Sequence, residues 1–179
     1  MNLRYVFTGG PGAGKTTVLD LLKKNGFTCI PEVAREIINR RLSNGLNPRP
    51  DATQFANEIL AKDIDQYDKF VLENKPVFFD RGIGDALYML HQCGEIQIDQ
   101  ATSHLNKRPY NKMVFIFPPW REIYTTDAER DQTYEDSIEV YNGLWQWYLN
   151  LDFSVIEVPL SEPEQRMEFI INSIENAQQ

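Results

Sequence analysis

A glycine-rich stretch near the amino terminus carries the clearest chemical pattern in the sequence. Gly9, Gly14, Lys15 and Thr16 occupy the fixed positions of G-x-x-x-x-G-K-[ST], between an apolar run and a helical pattern. Glycine permits a tight turn in which consecutive backbone N–H groups face phosphate oxygens. Lys15 can reach the β- and γ-phosphates, and the Thr16 hydroxyl suits Mg²⁺. The complete motif favours nucleotide binding over a turn that only caps a helix. The expected nucleotide-binding residues are Gly10, Pro11, Gly12, Ala13, Gly14, Lys15, Thr16 and Thr17.

An acidic and a basic residue end the third predicted strand. Asp80 and Arg81 follow Val77-Phe78-Phe79 directly, and parallel strands end at the sheet edge that holds the glycine-rich turn. Asp80 is a candidate to hold Mg²⁺ beside Thr16, or to take a proton from an attacking hydroxyl. Arg81 is a candidate to pair with a substrate phosphate or with the transferred one. The structural alternative is an Asp that caps the next helix and pairs with Arg81, but the phosphate loop favours the catalytic role.

A glutamate and three further arginines complete the set of candidate residues. Glu32 follows the second predicted strand at the same edge, and Arg35 lies one turn further along the helix. For transfer to a small hydroxylated acceptor, Glu32 is placed to bind the acceptor hydroxyl or act as base, and Arg35 and Arg81 to bind the acceptor. A Glu in the first turn of a helix is also a favourable dipole partner. Arg121 and Arg130 are candidates to close over the triphosphate, or else are solvated charges of a loop.

Length, charge and cysteine content narrow the class of protein. A chain of 179 residues with 42% hydrophobic residues is expected to form one domain. A net charge of −8 disfavours general binding to nucleic acid or to an anionic membrane. Cys29 and Cys93 lack the spacing of a zinc site. Neither a signal pattern nor a membrane-length apolar run is visible, so we expect a cytoplasmic protein.

The elements that must position these residues alternate along the chain. Strands are predicted over residues 3–8, 27–30, 76–80, 113–117 and 154–158. Helices are predicted over residues 15–25, 32–42, 51–74, 85–92, 98–107 and 134–149, with a last helix capped by Ser161 and Glu164. Residues 120–133 are polar and non-periodic and are predicted to be mobile. Five strands separated by helices predict an α/β fold with a parallel sheet.

Four stretches together resemble a known family. They are residues Gly9–Thr17, Ile30–Glu36, Phe78–Gly82 and Val114–Trp120. They resemble the predicted ATPases grouped with nicotinamide-riboside-kinase-like AAA domains, within the P-loop nucleoside and nucleotide kinase superfamily, over nearly the whole chain. The resemblance implies a three-layer fold with strand order 2-3-1-4-5, helices on both faces and a lid over about 119–133 between strands 4 and 5. It also implies Mg-ATP as donor, but no particular acceptor.

Several other functions compete with a kinase. A regulatory GTPase is disfavoured because no Asn-Lys-x-Asp motif is present. An AAA+ motor normally carries Asp-Glu at the end of the corresponding strand and a separate helical domain. It is disfavoured because Arg81 follows Asp80 here and the chain is too short for that domain. A polynucleotide kinase is disfavoured by the acidic balance. Two functions stay open. We favour a Mg-ATP-dependent small-molecule kinase that acts as a monomer or homodimer on a nucleoside-like or other hydroxylated acceptor. The alternative is an ATPase or GTP-binding switch that acts through a protein partner.

Overall fold

The computed structural model describes residues 2–48, 50–70, 72–124 and 133–177. Within them the strands are Arg4–Gly9 (β1), Thr28–Ile30 (β2), Val77–Asp80 (β3), Met113–Phe117 (β4) and Ser154–Glu157 (β5). The helices are Lys15–Lys24 (α1), Val33–Ser43 (α2), Ala52–Lys69 (α3), Ile83–Gln92 (α4), Ile98–Lys107 (α5), Tyr134–Asn150 (α6) and Pro163–Asn176 (α7). Every predicted strand and helix is present.

The five strands form one parallel sheet in the order β2-β3-β1-β4-β5. This is the topology that the family resemblance implies, and it is confirmed. β1 is the central strand, with β3 and β4 as its neighbours. Because all strands run the same way, the carboxyl ends of β1, β2 and β3 meet at one edge. The phosphate loop, Glu32 and Asp80 all follow or end these strands.

Alternate strand residues enter two separate cores. Tyr5 and Phe7 of β1 pack on one face of the sheet with α1 and α7. Val6 faces the other side and joins a larger core formed with α2 to α6. The central strands therefore bury both faces, which explains why they are apolar throughout. Each fully buried large side chain contributes roughly 1.5–3 kcal/mol of stability.

The start of β2 and the end of α3 depart from prediction. The strand predicted from Phe27 begins at Thr28, which pairs with Val77; Phe27 would lie opposite Pro76, which has no N–H for the ladder. The helix predicted to reach residue 74 ends at Lys69. Leu72 is 87% exposed, and Glu73 and Asn74 are exposed as well, so the described residues beyond Phe70 offer no buried face to hold another helical turn.

Three helix starts also differ from prediction, and the start of α2 affects the site. α2 begins at Val33, so Glu32 is the residue before the helix and has an extended ψ of 122° rather than a helical one. The predicted capping by Ser161 is wrong: α7 begins at Pro163, Glu162 precedes it, and the Ser161 hydroxyl is buried without a hydrogen-bond partner among the described residues. Proline favours the first helical position because its φ is fixed there, and this sets the start.

Helix α4 starts at Ile83, two residues earlier than predicted. Asp85 consequently lies inside its first turn and is buried. None of the helices in the described ranges is long and apolar enough to cross a membrane.

Candidate active site

The phosphate loop joins β1 to α1 in a conformation that requires glycine. Gly14 precedes α1 with a φ of 80°, in the left-handed region. A Cβ at Gly14 would lie 2.6 Å from Nη1 of Arg166, and a Cβ at Gly12, whose φ is 73°, would lie 2.6 Å from the ring of Tyr124. A larger residue at either position is therefore strained by backbone geometry, and the neighbouring Arg166 or Tyr124 side chain would have to shift to make room. The N-terminus of α1 is left facing the site, where it favours an anion.

The side chain of Lys15 folds back onto the phosphate loop. Its Nζ donates to the carbonyl oxygens of Gly9 at 3.3 Å and Gly10 at 2.9 Å, and only 6% of the residue is exposed. Burial, and secondarily the charge of Arg81, lower the pKa of Lys15 to about 8. The amine stays mostly protonated near neutral pH. A phosphate oxygen offers this cation a stronger partner than a carbonyl.

Thr16 and Asp80 form an oxygen-rich pair beside the loop. The Thr16 hydroxyl donates to Oδ2 of Asp80 at 3.4 Å. Oδ1 of Asp80 is buried and has no hydrogen-bond partner among the described residues. Burial raises the pKa of Asp80 to about 6, opposed by Lys15 and reinforced by Glu32. An unpartnered carboxylate oxygen next to a hydroxyl is the kind of donor set that Mg²⁺ prefers, so these residues fit that ion.

Arg81 bridges two acidic residues at the end of β3. Its Nε donates to Oε1 of Glu32 at 3.0 Å, and its Nη1 donates to Oδ1 of Asp85 at 3.1 Å. Arg81 has a φ of 65°, a left-handed conformation that is strained for a side chain of this size. Burial acts to lower the pKa of Arg81, but the carboxylates of Glu32, Asp85 and Asp80 outweigh it and raise the pKa. The guanidinium is therefore held as a fixed cation.

Glu32 stays ionised because of its cationic neighbours. Burial acts to raise the pKa of Glu32, but Arg81, Lys15 and Arg35 together hold it below its usual value. Arg35 Nε lies 3.8 Å from Oε2 of Glu32. An ionised carboxylate at the mouth of the phosphate loop can accept a proton from a bound hydroxyl.

Asp85 connects Arg81 to two buried hydroxyl groups. Its Oδ1 accepts from the Thr8 hydroxyl at 2.6 Å as well as from Arg81, and its Oδ2 accepts from the Tyr148 hydroxyl at 2.7 Å. Thr8 belongs to β1 and Tyr148 to α6. Asp85 thus ties the position of Arg81 to the centre of the sheet and to the helix that covers it.

A cavity of about 910 Å³ connects the phosphate loop with a second compartment. One end is lined by the phosphate loop and by residues of α7. The other end lies between α2, α3 and α4 and contains Phe55, Ile59 and Met89 together with Arg35 and Asp63. Glu32 and Arg81 lie on the wall of this same cavity.

Of the three predicted arginines other than Arg81, Arg35 and Arg121 lie within the described residues and have different surroundings. Arg35 lines the cavity. Arg121 instead lies over the ring of Tyr134, at 5.0 Å, and 3.9 Å from Glu135, away from the cavity lining found among the described residues. Arg130, and most of the predicted lid over 119–133, fall outside the described residues. The roles of Arg121 and Arg130 at a triphosphate stay predictions.

Three site residues escaped the sequence analysis. They are Asp63, Asp85 and Arg166, all buried. Arg166 donates from Nη2 to the Ala13 carbonyl at 2.9 Å and stacks on Phe117, and burial lowers its pKa to about 10. A detectable signal existed only for Asp63, which interrupts the apolar i, i+4 series that begins at Phe55 and Ile59.

The comparisons with known proteins agree with this architecture. The deoxyadenosine kinase of M. mycoides, solved with dCMP and dCDP bound, matches with a TM-score of 0.59 and 15% identity, covering 97% of this chain and 99% of the other. The thymidylate kinase of Ehrlichia chaffeensis matches with a TM-score of 0.60 and 18% identity, covering 97% and 98%. At these identities the likeness shows the fold. No curated protein matches the sequence. A family described as "AAA domain" matches residues 4–166, and the chain therefore belongs to this AAA-domain family, with a P-loop nucleotide-kinase-like fold.

Proposed function

We propose that the protein is a Mg-ATP-dependent kinase that transfers the γ-phosphoryl group to a hydroxyl of a small, nucleoside-like acceptor. One observation carries the proposal: a single cavity has the phosphate loop at one end and a second compartment between α2, α3 and α4 at the other, here called the acceptor compartment, with Glu32 and Arg81 on its wall. A protein that only hydrolyses nucleotide has no need for such a compartment. The kinases named as structural matches support an acceptor of the nucleoside or nucleotide class.

The donor end is suited to a triphosphate. The N–H groups at the start of α1 and the Lys15 ammonium would hold the phosphate oxygens. Thr16 and Asp80 would hold Mg²⁺, which when bound neutralises charge on the β- and γ-phosphates. Asp80, whose pKa lies at about 6, is ionised at and above neutral pH and is then ready for a cation.

The acceptor end is suited to proton removal from a hydroxyl. Glu32 would accept the hydroxyl proton while the acceptor oxygen forms its bond to the γ-phosphorus and ADP leaves. Arg81, fixed between Glu32 and Asp85, would stabilise charge on the transferred group. Its two carboxylate partners also prevent the side chain from swinging away from the cavity.

A nucleotide-dependent switch is the second candidate, and one contact favours it. Ile123 packs beside Gly14 and Tyr124 beside Gly12, so the start of the polar segment touches the phosphate loop directly. Nucleotide binding would then change the contacts of Ile123 and Tyr124 with the loop. A switch hydrolyses ATP or GTP at a rate that does not depend on any acceptor, which separates it from a kinase.

The test is ADP release from Mg-ATP by the wild type and by Lys15→Ala, each alone and with pooled nucleosides. Lys24→Ala, which changes an exposed lysine of the same helix, is the matched control. We expect one pool to stimulate the wild type and Lys24→Ala but not Lys15→Ala. Release that is equal with every pool would favour the switch, and activity retained by Lys15→Ala would refute the assignment of the loop.

A further inference from the structure

Asp63 occupies a position where packing alone predicts an apolar residue. It follows Phe55 and Ile59 at intervals of four on α3, so the three side chains share one face of the helix. That face lines the acceptor compartment, and all three residues are part of its wall. Only 6% of Asp63 is exposed. A carboxyl group has thus been placed in an otherwise apolar helix face, directly at the cavity.

The Asp63 carboxyl has bonding capacity that the described residues leave unused. Its Oδ2 is buried and has no hydrogen-bond partner among them. Buried polar atoms are nearly always paired in folded proteins, so an exception on a cavity wall indicates a ligand group as the missing partner. Asp80, the other carboxyl with such an atom in the described part of the chain, faces the site where Mg²⁺ is expected. Asp63 is separate from that pair.

The surroundings of Asp63 favour its neutral form. Burial, followed by the negative charges of Asp85 and Glu32, raises the pKa of Asp63 well above its usual value, although Arg81 opposes this. A neutral carboxyl presents an O–H donor and a carbonyl acceptor side by side. An amide or amidine edge of a planar ring presents the complementary pair. The apolar side chains of Phe55 and Ile59, which also line the cavity, suit contact with such a ring.

We propose that Asp63 is the specificity-determining residue of the acceptor compartment, and that it selects acceptors whose planar ring carries adjacent hydrogen-bond donor and acceptor atoms. This inference rests on the proposed kinase function and narrows its substrate class to nucleosides with an intact amide- or amidine-type edge. Asp63 does not take part in proton or phosphoryl transfer. Its effect is on which acceptor binds.

The experiment compares matched pairs of acceptors that differ only at this edge. Adenosine is paired with purine riboside, which lacks the exocyclic amino group, and uridine with its analogue that lacks the 4-oxo group. For each pair the ratio of kcat/KM for ATP-dependent phosphorylation is measured. A site built to bond such a group is expected to favour the intact nucleoside of at least one pair by about 10- to 100-fold.

Three variants show whether Asp63 produces that preference. Asp63→Leu removes both hydrogen-bonding atoms, and the ratio is expected to fall to near one. Asp63→Asn keeps a donor and an acceptor of the same shape and is expected to restore the ratio. Asp65→Asn, on the exposed side of α3, is the control and is expected to keep the wild-type ratio. A general loss of stability would lower both rates of a pair together and leave their ratio unchanged.

The outcomes separate this inference from the proposed function. A preference that persists in Asp63→Leu, or a wild-type ratio near one with active phosphorylation, would overturn the inference and leave the kinase intact. A preference that Asp63→Asn fails to restore would show that the wild-type carboxyl acts as an ionised acceptor and not as a paired donor and acceptor, which also contradicts it. If Lys15-dependent hydrolysis of ATP occurs but no nucleoside is phosphorylated, both the acceptor class and the inference are wrong.

Discussion

Replacement of Asp85 by alanine tests whether the buried network around Arg81 holds the site together. The change removes the acceptor of three hydrogen bonds, from Thr8, Tyr148 and Arg81. The two hydroxyls are left in a buried site, and a buried polar group without a partner costs roughly 1–3 kcal/mol. Arg81 is part-exposed and keeps its ion pair with Glu32, so the loss of its bond to Asp85 contributes less to the destabilisation. We expect Asp85→Ala to lower the free energy of unfolding by about 3–5 kcal/mol, the range for breaking a buried ion pair.

Asp85→Asn provides the comparison that isolates hydrogen bonding from charge. The amide oxygen can still accept from Thr8 and Arg81, and the Tyr148 hydroxyl can rotate to accept from the amide nitrogen. The expected loss is about 1–2 kcal/mol. Asp65→Ala, which removes an exposed i, i+4 pair with Lys69, is expected to lose about 0.5 kcal/mol or less.

Urea unfolding followed by tryptophan fluorescence at pH 7 measures all three variants without nucleotide. The predicted order of destabilisation is Asp85→Ala, then Asp85→Asn, then Asp65→Ala. The interpretation fails if Asp85→Ala lies within about 1 kcal/mol of the wild type, since a single unsatisfied group already accounts for that much. It also fails if the alanine and asparagine variants are equally destabilised.

Three further predictions concern individual site residues. Glu32→Gln should lower kcat by roughly 10²–10⁴ with little change in the KM for ATP, as expected for loss of a general base; an unchanged kcat in steady-state assays would return Glu32 to pairing with Arg81 alone. Burial shifts the pKa of Asp80 from its ordinary value of 3.8 to about 6, so without Mg²⁺ the folded protein holds this proton over a pH range where the unfolded chain has released it. Wild-type stability should therefore fall relative to Asp80→Asn as pH rises through this window, and parallel urea midpoints across a pH series would contradict this. Arg166→Met frees the Ala13 carbonyl and should weaken ADP binding by about three- to tenfold, equivalent to one net hydrogen bond; equal affinity in a fluorescence titration would count against a positioning role.

The positions of the phosphate loop and of the strand-end residues follow from local sequence, whereas their chemical roles stay predictions. The glycine-rich motif lies between a strand and a helix because the spacing of its glycines, lysine and threonine is typical of a strand–loop–helix turn that binds phosphate. Asp80 and Glu32 lie at one edge because parallel strands end together, a property of the topology that needs no knowledge of side-chain contacts. The strand order, by contrast, came from the family resemblance, since apolar patterns locate strands without revealing their neighbours.

What sequence reasoning missed depends on long-range packing. Asp85 gains its importance from Thr8 and Tyr148, which are distant in the chain. Arg166 lies 153 positions from the Ala13 carbonyl that it contacts. The left-handed backbone of Arg81 is likewise invisible, because nothing in its residue type favours that conformation. Such features arise only when helices pack on the sheet.

The most direct test of the central claim measures where the γ-phosphoryl group goes. Wild-type protein is incubated with γ-labelled Mg-ATP and a nucleoside pool, and labelled nucleoside phosphate, free phosphate and ADP are quantified together. A kinase predicts labelled ester equal to the additional ADP formed, with neither product in Lys15→Ala. If all the label appears as free phosphate whatever nucleoside is present, the second compartment of the cavity does not hold an acceptor and the kinase assignment is wrong.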